Sequence, residues 1–217
     1  MFMINDHSLL LSKIVFLLNK FNINYIEEID VSNILSHTYE DMNSFLIKDP
    51  STYNNSKYLL LSFSSFDAVV GYRVASVIYN KYNKIIDAKK ISEYCKVKTE
   101  IEIHPACKIG SRFVIDHGVG TVIGETCKIG TDCYLLQNVI LGATHIASNK
   151  QENRHPQIGN NVEIAGFVRI FGNIFIGNNV KISPHSIITE NIPDNSIVKI
   201  KNNRQEVTTY DYFEKKY

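Results

Sequence analysis

Two dipeptides in this chain carry the means for acid-base chemistry on a small polar substrate: Asp116-His117 and Arg154-His155. Histidine titrates near neutral pH, so a neutral imidazole is the side chain best suited to taking the proton of an alcohol. Arg154 offers a planar guanidinium that grips a carboxylate through two parallel hydrogen bonds, with His155 beside it. Glycines at 118 and 120 flank His117 and let a substrate approach the backbone. Glu102 adds a carboxylate able to orient an imidazole and stabilise its charge during proton transfer. By type alone, an aspartate or histidine in such a place more often serves a turn. What marks these residues is where they fall in the surrounding pattern.

From Ile103 an aliphatic residue recurs every six positions: Ile103, Ile109, Ile115, then Ile123 after two extra residues, Ile129, Leu135 and Leu141, and again from Ile158 to Ile188. Glycine follows it at 110, 124, 130, 142, 159 and 177, and a small or β-branched apolar residue stands four places after it, as at Cys107, Cys127, Cys133 and Val162. A period of six fits neither a helix nor a lone strand. It fits a short strand plus a tight turn, repeated so that three units close a triangular coil and like side chains stack along its axis. This is the pattern of a parallel β-helix. Neighbouring coils lie about 4.8 Å apart, the ordinary strand spacing, which brings Glu102 into range of the His117 segment. The period breaks twice: Ile115 to Val122 holds eight residues where six are due, and Gly142 to Gln157 must leave the coil as a loop. Departures from a consistent pattern are where function is expected, and each break contains histidine. His104 and His185 lie in regular hexads and read as structural or surface groups, and His145 falls in the extruded loop.

The first hundred residues have a helical period instead. Leu9, Leu10, Ile14, Leu17 and Leu18 recur at spacings of three and four. Further helices are predicted from Val31 to about Ile47, capped by Asp30 or Ser32 and stopped by Asp49-Pro50, from about Ser65 to Tyr82, and from Ala88 to Cys95. The fold class is therefore α+β: a helical domain over 1–100, a β-helix over 101–193 with the loop 142–157 extruded, and a tail over 194–217.

Composition narrows the partners. With 23 basic and 22 acidic residues the net charge is +1, which gives no footprint for nucleic acid or an anionic membrane. The apolar start is interrupted by Ser12, Lys13, Asn19 and Lys20, so neither a signal peptide nor a spanning helix is expected, and a cytoplasmic location is. The four cysteines lack metal or redox spacing; Cys107, Cys127 and Cys133 share one repeat position and read as small apolar groups.

Glu102-Ile103-His104-Pro105-Ala106, Asp116-His117-Gly118-Val119-Gly120, Val122-Ile123-Gly124-Glu125-Thr126, Leu141-Gly142-Ala143-Thr144 and Arg154-His155-Pro156 together resemble the bacterial serine acetyltransferases, over about residues 45 to 193. The resemblance implies a left-handed β-helix, acetyl-CoA as co-substrate without a metal, L-serine as acceptor in cysteine biosynthesis, and a homotrimer or dimer of trimers with sites between subunits. His117 would be the general base, with Glu102 where the family carries the aspartate of a His-Asp pair. Asp49, Asp116, Arg154 and His155 would hold the amino acid, and Gly142, Ala143, Gly166 and Lys181 would line the acetyl-CoA surface. Ala143 stands in place of a glycine, and Ser65-Phe66-Asp67-Ala68 in place of the family's G-[FY]-H-A. Two other readings fit the repeat: an O-acetyltransferase for a different small alcohol such as a sugar, and a trimeric scaffold without catalysis.

Overall fold

The computed structural model describes residues 6–147 and 152–200; residues 201–217 of the expected tail and 148–151 of the loop lie outside them. The helical part comprises α1 (Asp6–Lys20), α2 (Glu28–Lys48), a 3-10 turn (Pro50–Thr52), α3 (Ser56–Ser62), α4 (Ser64–Asn80) and α5 (Ile85–Thr99). Helix α2 begins before the expected cap because the Asp30 carboxylate is already taken, accepting from Lys81 Nζ at 2.7 Å and Tyr82 Oη at 2.5 Å. Asp49 ends it as expected, its backbone N–H still bonded to the Phe45 carbonyl and Pro50 following. Helix α3 is not legible in the sequence: it has only seven residues, too few for a period, and is started by Asn55, whose side chain accepts from Tyr58 N at 3.0 Å. Among the described residues no helix is long and apolar enough to cross a membrane.

Short parallel strands follow, and each consecutive strand joins a different sheet. Sheet A holds β1 (Glu102–Ile103), β4 (Val122–Ile123), β7 (Ile140–Gly142), β10 (Arg169–Phe171) and β13 (Ile187–Ile188). Sheet B holds β2 (Lys108–Ile109), β5 (Lys128–Ile129), β8 (Gln157–Ile158) and β11 (Phe175–Ile176). Sheet C holds β3 (Val114–Ile115), β6 (Tyr134–Leu135), β9 (Glu163–Ile164), β12 (Lys181–Ile182) and β14 (Ile197–Val198). A strand in A, then B, then C makes one coil of a triangular prism, as the six-residue period requires. The register pairs aliphatic with aliphatic: Ile103 with Ile123, Ile129 with Ile158, Leu135 with Ile164. All of these side chains are buried along the axis. Strand pairing continues past residue 193, since β14 pairs with β12.

The turns between strands explain the sequence at a third repeat position. Arg112, Asp132, Asn138, Asn161, Phe167, Asn179, His185 and Asn195 all have left-handed backbone. Asn and Asp tolerate that conformation best among non-glycine residues, which is why they dominate there. Asn160 and Asn178 also form a side-chain ladder down the edge between sheets B and C, ending on Asp194.

The first coil has no coil beneath it, so one edge of its backbone needs other partners. The helical part supplies them. Tyr72 Oη donates to the Cys107 carbonyl (2.9 Å) and accepts from Ile109 N (3.0 Å), and Ser92 Oγ donates to the Ile103 carbonyl (2.7 Å). Arg73 donates to the carbonyls of Ile109 (2.7 Å) and Gly110 (2.6 Å). Its guanidinium also forms a two-point pair with Asp41 at 2.8 and 3.0 Å, and Asp41 in turn accepts from Phe113 N at 2.8 Å. Both charged groups are buried.

Two expectations follow. Replacing Arg73 with Met leaves Asp41 buried and unpaired, and should lower unfolding stability by about 3–5 kcal/mol, read by denaturant titration. The four cysteines are free and buried, and burial pushes the Cys127 thiol up to about 12 and Cys133 up to about 11. A water-soluble thiol reagent at about pH 8 should therefore label them slowly until the protein is denatured.

Candidate active site

The two extra residues between β3 and β4 form a compact protruding turn. Gly118 N donates to the Asp116 carbonyl at 2.7 Å and Thr121 N to the Gly118 carbonyl at 2.9 Å. His117 (φ 58°), Gly118 (φ 76°) and Gly120 (φ 76°) are all left-handed. A Cβ on Gly118 would lie 2.4 Å from Ile101 Cδ1, so only glycine fits between the turn and the core. The result presents His117 outward, its side chain 71% exposed, with Nδ1 3.8 Å from Asp116 Oδ1.

Asp116 is half of a larger acidic group. Its Oδ2 accepts from Tyr134 Oη at 2.9 Å. Burial, that hydrogen bond and the charges of Asp116 and Asp49 together hold the Tyr134 phenol well above its ordinary value. Asp49, buried at the end of α2, accepts from Ser51 N (2.8 Å) and Ser51 Oγ (2.9 Å). Asp49 and Asp116, far apart in sequence, thus both act on Tyr134, with His117 next to Asp116 in the turn. Glu102 does not join them. Its carboxylate is paired with Lys96 Nζ of α5 at 2.5 Å, so the carboxylate within 4 Å of the His117 ring is that of Asp116 and not Glu102.

Arg154 and His155 stand elsewhere on the prism, against the turn between β4 and β5. Arg154 pairs with Glu125, and the backbone N–H groups of Arg154 (3.0 Å) and His155 (3.1 Å) both donate to Thr126 Oγ1. The His155 ring is buried, and that burial, followed by the nearby Arg154 charge, holds its pKa below the usual histidine value. Asp116-His117 lies just before β4 and the Arg154-His155 seat just after it. The two groups therefore occupy the two edges of sheet A at the same level of the prism, and within one chain they do not meet.

The expected acetyl-CoA residues divide in the same way. Gly142 and Ala143 leave sheet A on the Arg154 edge, where the Gly142 carbonyl accepts from Gly172 N at 3.0 Å. Gly166 lies on the His117 edge, facing Gln137, and Lys181 is on sheet C paired with Glu163 at 2.9 Å. Gln137 Oε1 is buried and has no hydrogen-bond partner among the described residues. Among the described residues no group of three or more His, Cys, Asp or Glu is placed to hold a metal ion. Sequence reasoning missed Tyr134, Glu125 and Thr126 as members of these clusters. Tyr134 sits at an outward hexad position that any polar residue can fill, whereas Glu125-Thr126 was visible as part of a motif without an assigned role.

No family model matches the chain. Among curated proteins it is 37% identical over 165 residues to the serine acetyltransferase of Staphylococcus aureus, covering 76% of this chain and 74% of that one. The chain belongs to the serine acetyltransferase family. It is accordingly an acyltransferase, and the family's activity is acetylation of the serine hydroxyl to O-acetylserine. Among solved structures it is similar to serine acetyltransferase isoform 3 of Entamoeba histolytica in complex with cysteine, with a TM-score of 0.77 and 31% identity over 91% of this chain and 72% of that one. A serine acetyltransferase in complex with CoA superimposes with a TM-score of 0.71 at 26% identity, covering 88% of this chain and 79% of that one. The fold is the one these enzymes share, helices followed by a left-handed parallel β-helix.

The Glu125–Arg154 pair makes a pH-dependent prediction. The hydrogen bond from Arg154 holds the Glu125 carboxyl below its ordinary 4.5. Its folded value is depressed, so the stabilisation is present above the ordinary carboxylate range and is lost as pH falls through the lowered value. Glu125→Gln should therefore lower the melting temperature at neutral pH and make little difference in strong acid, measured by thermal melts across pH.

Proposed function

We propose that this chain moves the acetyl group of acetyl-CoA to the hydroxyl of L-serine at a site completed by a second copy of itself. The observation that carries this reading is the split of complementary charges across sheet A. Two carboxylates and a base stand on one edge, and a guanidinium with a histidine stands at the same level on the other. A free amino acid carries an ammonium and a carboxylate, and each needs a partner when buried. Asp49 and Asp116 suit the ammonium, and Arg154 with His155 suits the carboxylate. A threefold arrangement with sheet A facing the axis brings the His117 edge of one copy beside the Arg154 edge of the next. In the outward row of sheet A, Glu102, Val122, Ile140, Arg169 and Ile187, the three apolar residues support that packing, and Ile187 is 67% exposed in the single chain.

In this site His117 takes the serine hydroxyl proton as the oxygen attacks the thioester carbonyl. The tetrahedral intermediate collapses with loss of the CoA thiolate, which regains a proton from the imidazolium. Asp116, 3.8 Å from the His117 ring, stabilises the imidazolium while it lasts; Glu102 acts in that role only on leaving Lys96. Acetyl-CoA lies along the same interface, against Gly142 and Ala143 of one copy and Gly166 and Lys181 of the next.

L-serine should release thiol from acetyl-CoA far faster than glycerol or a hexose, and His117→Ala should lower kcat by about a hundredfold or more. The composite site has its own test. His117→Ala and Arg154→Ala proteins, each impaired alone, should recover activity when co-expressed, because mixed trimers contain sites with His117 from one variant and Arg154 from the other. Absence of recovery in verified mixed trimers contradicts the shared site, and a sugar outperforming L-serine contradicts the acceptor.

A further inference from the structure

We propose that the turn Gly124-Glu125-Thr126 is a seat for Arg154-His155, and that Thr126 is a positioning residue that fixes His155 as the neutral tautomer with its proton on Nε2. The donors and acceptors around the ring assign its proton. A threonine hydroxyl has one hydrogen to give and two lone pairs to accept with. Thr126 Oγ1 accepts from Arg154 N at 3.0 Å and from His155 N at 3.1 Å, which fills both lone pairs. Its own hydrogen remains, and the atom in front of it is His155 Nδ1, at 2.8 Å. The backbone N–H of Thr126, which can only donate, points at the same Nδ1 from 3.2 Å. Two donors converge on one ring nitrogen, so Nδ1 is the bare acceptor and the ring proton belongs on Nε2. A proton on Nδ1 would face the Thr126 N–H, and the hydroxyl would either turn its own hydrogen against it or have to accept a third bond.

The neighbours of Thr126 complete the seat. The His155 ring lies across Gly124 so closely that a Cβ there would be 2.1 Å from Cδ2 and 2.2 Å from Nε2. Glu125 holds the Arg154 guanidinium. One three-residue turn thus gives room to the ring, a counter-charge to the guanidinium and hydrogen bonds to the ring nitrogen and both backbone amides. The charged and titratable groups facing His155 are Arg154, Glu125 and His104. The consequence for catalysis rests on the reading of His155 as a serine contact: the positive charge offered to the carboxylate comes from Arg154 alone, and His155 contributes a neutral N–H donor.

The test is nitrogen-15 NMR of the full-length, histidine-labelled protein at neutral pH, with His155 assigned by its loss in His155→Gln. The expected wild-type spectrum has a pyridine-like Nδ1 and a protonated Nε2. Thr126→Val removes the hydroxyl donor and leaves only the longer Thr126 N–H contact at Nδ1, so it should shift the fixed pattern measurably toward tautomer averaging and raise the serine KM roughly tenfold or more, with the acetyl-CoA KM unchanged, because two amides and a ring nitrogen lose a buried partner. Thr126→Ser keeps the hydroxyl and should restore both the spectrum and the KM. A wild-type His155 protonated on Nδ1 overturns the proposal, as does a Thr126→Val protein that folds with nitrogen-15 shifts of His155 identical to wild type. If Thr126→Val loses the tautomer but keeps the serine KM, the seat stands and the reading of His155 as a serine contact falls.

Discussion

A β-helix must begin somewhere, and its first coil leaves a row of backbone groups with no coil to pair with. In this chain that open end is closed by side chains of the helical part: Tyr72, Arg73, Asp41, Ser92 and Ser44, the last donating to the Arg112 carbonyl at 3.1 Å. The buried Arg73–Asp41 pair is the centre of this closure. Neither charge could be tolerated alone, and each is satisfied because it also bonds the coil's backbone. The clasp is therefore specific to one docking of helices on prism.

That docking reaches the chemistry. Asp41 lies within helix α2 and Asp49 at its end, about two turns further on, so clamping the first fixes the second. Lys48 adds a second tie, donating to the Asp132 carbonyl at 2.8 Å. Asp49 is thereby held beside Tyr134, whose hydroxyl bonds Asp116. A carboxylate from the helical part and one from the prism come to act on the same phenol because the open end of the prism required a cap.

The prism acts as a ruler for the rest. Strand β4 separates the His117 turn from the Arg154 seat, and the rigid coil stack holds them at one level on opposite edges. Extra residues are tolerated only at corners, where they do not disturb the stacked Ile and Leu core. That is why both insertions in the hexad pattern fall at corners of sheet A, where they carry the candidate site residues. The Lys96–Glu102 pair shows the other side of the same rigidity: an outward side chain on β1 finds the nearest cation, in α5, rather than the histidine on a neighbouring turn.

By itself the sequence determined the prism. A six-residue period admits few other structures, because only inward stacking of Ile103, Ile123 and Leu141 and their equivalents buries every one of them. It also determined the breaks, and with them His117, Arg154 and His155 as candidates, since an interruption is visible against a regular repeat. Only the tertiary structure decided which of these groups share a location. It brought Asp49 to Asp116, gave Tyr134 and Thr126 their places, turned Glu102 to Lys96, and left Arg154 on a different edge from His117. The reason is physical: a period reports which way each side chain faces along one segment, whereas the meeting of distant segments depends on docking, helix ends and ion pairs whose partners are scattered through the chain.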